Sequence, residues 1–307
     1  MKIFVDTAKL NEIKEAIPWG IVDGVTTNPS LIRGAVEEEK KAGKNLSLDR
    51  YIGEICSAAG KGRPVSLEVV SLKASEMIGE AQTLYERFNP IAGNVTIKIP
   101  INTCADQGTA DYEGLKAINN LAKKGIPVNV TLILTPEQAL LAAKAGAAYV
   151  SPFAGRIDDY IRKNLGVESG KSDYFDFELI QEISRKKLNE HLSGAGAEKI
   201  SSLYPDENLK KVVDAGKDNG ITSGVDCVRK IVNIFKNYNI QTKVIAASIR
   251  NSRQVREVAE TGCDICTIPF AVIRDMLKHP KTEEGVKKFC TDAVQAGYDE
   301  IFSRNKD

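Results

Sequence analysis

Val95-Thr96-Ile97-Lys98-Ile99-Pro100 reads as a buried apolar strand with an ammonium at its centre. Burying a Lys head is costly unless it has a partner or a chemical use, so this run poses a question of function as well as of fold. Two answers stand at this level. The head escapes to solvent at a strand end, or it is a partly desolvated amine with a lowered pKa, as Schiff-base chemistry requires.

Working outward, the same kind of segment recurs. Short runs rich in Val, Ile and Thr lie at 2–6, 24–28, 65–70, 95–100, 128–134, 148–153, 243–248 and 265–269. Helical patterns separate them and follow the last. Eight such βα units predict one (β/α)₈ barrel spanning 1–307. Thr135-Pro136-Glu137-Gln138 predicts a capped helix start that runs to Gly146. Thr7 is expected to cap a helix with the stripe Leu10, Ile13 and Ile17, and Ser252 one with Val255, Val258 and Ala259 inward. Two stretches break the rhythm: a polar loop at 101–112, and an insert over 160–220 in the connection after the sixth strand. The insert carries the stripe Leu179, Ile180, Ile183, Leu188 and Leu192, then Ser193-Gly194-Ala195-Gly196-Ala197, which follows a helix and reads as a flexible turn. A short helix is expected near 209–213. The segment 282–307 carries an apolar stripe at Val286, Phe289, Cys290, Ala293, Val294, Ile301 and Phe302, suited to the barrel or to a neighbouring subunit.

Lys and Arg number 42 against 41 Asp and Glu, which gives no electrostatic case for nucleic acid or an anionic membrane. No apolar run approaches the ~20 residues of a membrane span, and the N-terminus enters a strand directly, without a signal-peptide pattern. The six scattered cysteines read as free thiols of a cytoplasmic protein. Cys263-Asp264-Ile265-Cys266 matches C-x-x-C but leads into a strand and lacks a second pair. With only two histidines, a metal centre is not expected.

In a barrel the chemistry sits at the C-terminal ends of the strands. Those ends hold Asp6, Thr26, Thr27, Asn28, Glu68, Lys98, Asn129, Thr131, Ser151, Phe153, Arg156, Ser248 and Arg250. Each has a plainer reading: Asn28-Pro29 as a turn, Asp6-Thr7 as a cap, the Arg residues as solvated charges. Gathered at one face, two carboxylates, one Lys, amide and hydroxyl groups and two Arg suit amine catalysis on a phosphorylated carbonyl compound.

Five motifs carry a family resemblance. Gly24-Val-Thr-Thr-Asn-Pro-Ser-Leu31, Val95-Thr-Ile-Lys-Ile-Pro100, Val128-Asn-Val-Thr-Leu-Ile133, Tyr149-Val-Ser-Pro-Phe-Ala-Gly-Arg-Ile-Asp158 and Ala246-Ala-Ser-Ile-Arg-Asn251 strongly resemble transaldolases. The nearest group is the short microbial one that includes fructose-6-phosphate aldolases. The resemblance covers 1–100, 113–159 and 220–300. It implies a class I enzyme without metal or other cofactor, moving a dihydroxyacetone unit between sugar phosphates. It makes Lys98 the Schiff-base residue, Asp6 and Glu68 the acid/base pair, and Thr131 a holder of the catalytic water. Thr26, Asn28, Asn129 and Ser151 would meet the substrate, and Phe153 lie beside the reacting centre. Arg156, Ser248 and Arg250 would form the phosphate pocket. Glu68, Phe153 and Arg250 side with transaldolase over the aldolases. The alternatives are the aldolase (lyase) reaction, a modified ketose such as a sulfo-sugar, and a catalytically silent sugar-phosphate-binding barrel. A homo-oligomer built through the C-terminal helix, up to a decamer, is also implied.

Overall fold

The computed structural model describes residues 1–43, 47–104, 109–194 and 205–303. Eight parallel strands close on themselves in sequence order: β1 Lys2–Asp6, β2 Gly24–Thr26, β3 Val65–Glu68, β4 Val95–Pro100, β5 Val128–Ile133, β6 Tyr149–Pro152, β7 Lys243–Ala246 and β8 Ile265–Ile268. β8 returns to pair with β1, Thr267 opposite Phe4, so the fold is a (β/α)₈ barrel. Every strand lies within its expected run, several ending one or two residues sooner, where the chain turns into its βα loop.

The helices among the described residues are α1 Leu10–Ala16, α2 Pro29–Lys41, α3 Leu48–Ala59, α4 Ala74–Ala92, α5 Glu113–Lys123, α6 Pro136–Lys144, α7 Ala154–Leu165, α8 Phe177–Gly194, α9 Glu207–Asp214, α10 Gly224–Asn237, α11 Ser252–Glu260, α12 Phe270–Asp275, α13 Pro280–Gln295 and α14 Tyr298–Ser303. The capping box of α6 forms as its sequence predicts, with Gly146 left-handed beyond the end. Two caps differ from expectation. α1 starts three residues after Thr7, whose hydroxyl caps none of its backbone amides; it accepts from Lys9 N at 3.1 Å and donates to the Glu12 carboxylate instead. At α11 the extended residue is Asn251, and its side chain, not that of Ser252, accepts from Gln254 N at 2.9 Å.

Alternation along the strands sorts the residues into two layers. Val5, Val25, Leu67, Ile97, Ile99, Val130 and Val150 point outward into the main core, between strands and helices. The intervening residues point into the barrel. At its N-terminal level Phe4, Ile245 and Ile265 form a separate apolar cluster with Tyr149 against it. The Phe4 ring fills the space above Gly24, where a Cβ would come within 2.6 Å of it. That glycine is required by close packing.

The insert begins inside a helix, because α7 runs through Tyr160 to Leu165. α8 buries Ile180 and rests Ile183 on the core, while Leu179 and Leu192 stay exposed. Its apolar stripe therefore seats only its first half on the barrel. The expected turn 193–197 begins within α8, and its residues from 195 lie outside the described ones. α9 forms where a short helix is expected. α13 buries no residue, and Phe289 is 72 % exposed. Residues 304–307 at the end of the C-terminal segment lie outside the described ones. No described helix is long and apolar enough to cross a membrane.

Candidate active site

A cavity of about 860 Å³ opens at the C-terminal ends of the strands. All twelve residues expected to act on or bind a substrate line it: Asp6, Thr26, Asn28, Glu68, Lys98, Asn129, Thr131, Ser151, Phe153, Arg156, Ser248 and Arg250. The polar level begins two residues beyond the apolar cluster on the same inward faces. Phe4 gives way to Asp6, Ile265 to Thr267 and Tyr149 to Ser151.

Lys98 is only 6 % exposed. Register places it opposite Glu68 on β3 and Asn129 on β5, all inward. Its ammonium lies 2.9 Å from Glu68 Oε2 and donates to the Thr27 carbonyl at 3.0 Å. The head does not escape to bulk solvent; it stays at the bottom of the cavity and has a carboxylate partner.

Asp6 accepts from the Thr26 hydroxyl at 2.7 Å, and that hydroxyl in turn lies 2.5 Å from Thr267 Oγ1. Burial pushes the Asp6 carboxyl above the ordinary Asp range. The Thr26 donor and the Lys98 ammonium pull the other way, and the Glu68 carboxylate adds to the rise. Two carboxyls thus differ in surroundings: Glu68 touches the ammonium, whereas Asp6 accepts from the neutral Thr26 hydroxyl.

Asn129 is fully buried and oriented at both ends. Its Nδ2 donates to Ser66 Oγ at 3.2 Å, and its Oδ1 accepts from Ser151 Oγ at 2.7 Å. Thr131 Oγ1 is buried without a hydrogen-bond partner in the protein. Asn28 borders the cavity and also caps α2, accepting from Leu31 N at 2.9 Å, so the Asn28-Pro29 turn opens that helix.

The backbone is strained where it lines this cavity. Four non-glycine residues among those described have positive φ: Leu132, Asn219, Asn239 and Ser248. Asn tolerates the left-handed region, but Leu and Ser pay roughly 1–2 kcal/mol for it. Leu132 (φ 58°) and Ser248 (φ 62°) both line the cavity. At Leu132 the β5–β6 register slips between Val130 and Ile133, so Leu132 reaches the cavity along with Asn129 and Thr131, which strict alternation would not allow.

At the mouth, Arg156 is exposed and sits 5.0 Å from the centroid of the Phe153 ring. Arg250 is held from several sides. Its Nη2 donates to Asp159 Oδ2 at 2.5 Å, while its Nε is buried without a partner. Its backbone N–H donates to Gln254 Oε1 at 2.9 Å, and Gln254 donates to Asp158 Oδ2 at 2.8 Å. Asp158 also accepts from Gly224 N at 2.7 Å. Burial pushes its carboxyl up to about 7 against that amide and Arg162. Gly155 lets α7 approach this loop, since a Cβ there would lie 2.1 Å from the Ser248 carbonyl oxygen.

Sequence reasoning missed Thr267, Ser66 and Asp159. Thr267 carries a readable signal, as the lone polar side chain within Ile265–Ile268, yet its contact with Thr26 depends on closure between β8 and β1. Among the described residues no group of His, Cys, Asp and Glu is placed to hold a metal. Cys263 and Cys266 are buried, which raises both thiols, Cys263 to about 11, away from the lowered values of redox thiolates.

The sequence matches the family described as Transaldolase/Fructose-6-phosphate aldolase over residues 3–194 and 197–306. The chain belongs to this family. The match takes in 160–194, beyond the motifs that carry the resemblance. Proteins named probable transaldolase are similar over nearly their whole length. That of Caldicellulosiruptor saccharolyticus is 40% identical over 293 residues, covering 95% of this chain and 96% of the relative. Those of Clostridium tetani and Aquifex aeolicus are 38% and 37% identical over 292 residues, covering 95% of this chain and 97% and 96% of theirs. The family's fold is the barrel observed here, and the chain is an enzyme of that family.

Proposed function

We propose that the chain is a transaldolase, a metal-independent class I transferase without a cofactor. It moves a dihydroxyacetone unit from a ketose phosphate (sedoheptulose 7-phosphate or fructose 6-phosphate) to an aldose phosphate (glyceraldehyde 3-phosphate or erythrose 4-phosphate), as in the pentose phosphate pathway. The observation that carries this reading is the Lys98 ammonium at the bottom of a polar cavity, 2.9 Å from Glu68. An amine must lose its proton before attacking a ketone, and Glu68 is within direct reach to take it. Lys98 Nζ adds to the carbonyl carbon, the carbinolamine loses water, and the protonated imine accepts the electrons of the breaking C–C bond. Asp6 takes the proton of the hydroxyl whose C–O becomes the departing aldehyde. Its raised affinity for protons suits it to return that proton when the acceptor arrives. Thr131, whose hydroxyl has no protein partner, holds the water that connects the carboxyls. Thr26, Asn28, Asn129 and Ser151 orient the sugar hydroxyls, Phe153 walls the reacting centre, and Arg156, Ser248 and Arg250 take the phosphate.

Transfer is favoured over release by Glu68, Phe153 and Arg250, the three positions at which the sequence resembles transaldolases. The chain forms homo-oligomers through the exposed apolar side of α13, up to a decamer, and works in the cytoplasm, which suits six unpaired cysteines. The insert shapes access to the cavity.

Borohydride with fructose 6-phosphate should fix a dihydroxyacetone fragment on the peptide containing Lys98, read by mass spectrometry. Fructose 6-phosphate should turn over rapidly only with erythrose 4-phosphate present. Equal turnover without the acceptor would make the enzyme an aldolase, and absence of any adduct would leave a binding protein.

A further inference from the structure

Between α7 and α8 the chain makes a turn whose two corner residues face the cavity. Asp173 N donates to the Gly170 carbonyl at 3.1 Å, and Gly170 N donates to Asp173 Oδ2 at 2.6 Å. Lys171 and Ser172 are the corners, and both line the cavity that holds Lys98 and Arg250. The turn is fastened to the barrel on each side. Asn251 Nδ2, next to Arg250, donates to the Ser172 carbonyl at 3.2 Å. Arg162 Nη2 donates to the Asp173 carbonyl at 3.0 Å, and Tyr174 OH donates to Glu257 at 2.5 Å with Arg253 3.8 Å over its ring. Phe175 is buried in the core. These contacts seat Lys171 at the mouth with its side chain exposed.

The charges at the mouth favour an anion. Arg250 faces Asp159, which also lies 3.7 Å from Arg162 Nη1. Arg156 and Lys171 have no carboxylate partner among the described residues. A phosphate monoester carries about −1.5 to −2 at neutral pH and a sulfonate a single negative charge, so the phosphate gains more from the Lys171 ammonium.

We propose that Lys171 is a specificity-determining residue of the anion site, supplied by the insert, which tunes the mouth to a dianionic phosphate terminus. This rests on the reading of Arg156 and Arg250 as the anion site, and the test separates the two. Binding of glycerol 3-phosphate to the full-length enzyme would be measured by calorimetry for wild type, Lys171→Gln, Lys171→Glu, Lys171→Arg and Arg250→Ala, with thermal melting confirming each fold. Lys171→Gln should weaken binding about two- to fivefold, the range of one solvent-exposed pair. Lys171→Glu should weaken it further, and Lys171→Arg should retain it. 3-Hydroxypropanesulfonate should lose less than the phosphate ester in Lys171→Gln. If Arg250→Ala weakens phosphate binding while Lys171→Gln and Lys171→Glu do not, Lys171 has no part in the site and the inference is overturned alone. If Arg250→Ala has no effect either, the anion site lies elsewhere and both readings fall.

Discussion

Two levels of the barrel interior, one above the other on the same strands, differ in almost every respect. The lower holds Phe4, Ile245 and Ile265, packed so closely that Gly24 must lack a Cβ. The upper, two residues further along, holds Asp6, Lys98, Glu68, Asn129, Ser151 and Thr267, and opens to solvent through the cavity. The three residues of the lower cluster carry no polar side-chain group and contribute stability through dispersion and burial. The upper pairs most of its buried polar groups across strands, Lys98 with Glu68, Asn129 with Ser66 and Ser151, Thr26 with Asp6 and Thr267, and leaves Thr131 Oγ1 without a protein partner. A barrel can therefore hold a charged site because the residues that keep it closed stand at another height.

Removing the upper amine tests that separation most sharply. Lys98→Met should lower kcat by roughly three orders of magnitude or more and abolish borohydride trapping. The protein should remain folded, since Glu68 borders the cavity and can be hydrated. Loss of folding would mean that the ion pair also holds the barrel together. The converse change is Phe4→Ala, which empties the lower level and should cost about 3–5 kcal/mol of stability in denaturant titration. Its folded fraction should still form the Lys98 adduct; failure to do so would join the two levels into one unit.

A smaller effect is expected at the joint between scaffold and mouth. Gly155→Ala places a methyl against the Ser248 carbonyl and should cost about 1–3 kcal/mol. It should raise KM for fructose 6-phosphate more than it lowers kcat, because the displaced loop carries Ser248 and Arg250. An unchanged KM would show that the loop yields without moving Arg250. The smallest effect concerns pH. Asp158 has a proton affinity raised to about 7, so the folded chain binds a proton there that the unfolded chain has lost. Its contribution to stability is then greatest in acid, and falls as pH rises from about 4 through about 7. Wild-type stability minus that of Asp158→Asn should accordingly fall over that interval, as followed by thermal melts. A difference that rises would give Asp158 a depressed proton affinity instead.

Much of this was legible beforehand. Short apolar runs rich in Val, Ile and Thr, eight times repeated with helical patterns between, are a local signal, and the barrel follows from it because strands buried on both faces have few other arrangements. Lys98 could be singled out because its chemistry contradicts its neighbours. Asp6, Glu68, Asn129 and Thr131 could be assigned to one face because alternation is a property of each strand alone.

The amino-acid sequence by itself determined which residues face inward and at which end of each strand they stand, since backbone geometry translates spacing directly into direction. Only the tertiary structure decided who meets whom. The contact of Thr26 with Thr267 exists because β8 closes on β1, the left-handed turns at Leu132 and Ser248 because neighbouring strands and helices hold them there. Asp159 reaches Arg250 because α7 packs against the loop after β7, and α13 shows its apolar side because no described part of the barrel covers it. Such meetings depend on distances between segments far apart in the chain, set by packing of the whole, and no local period encodes them.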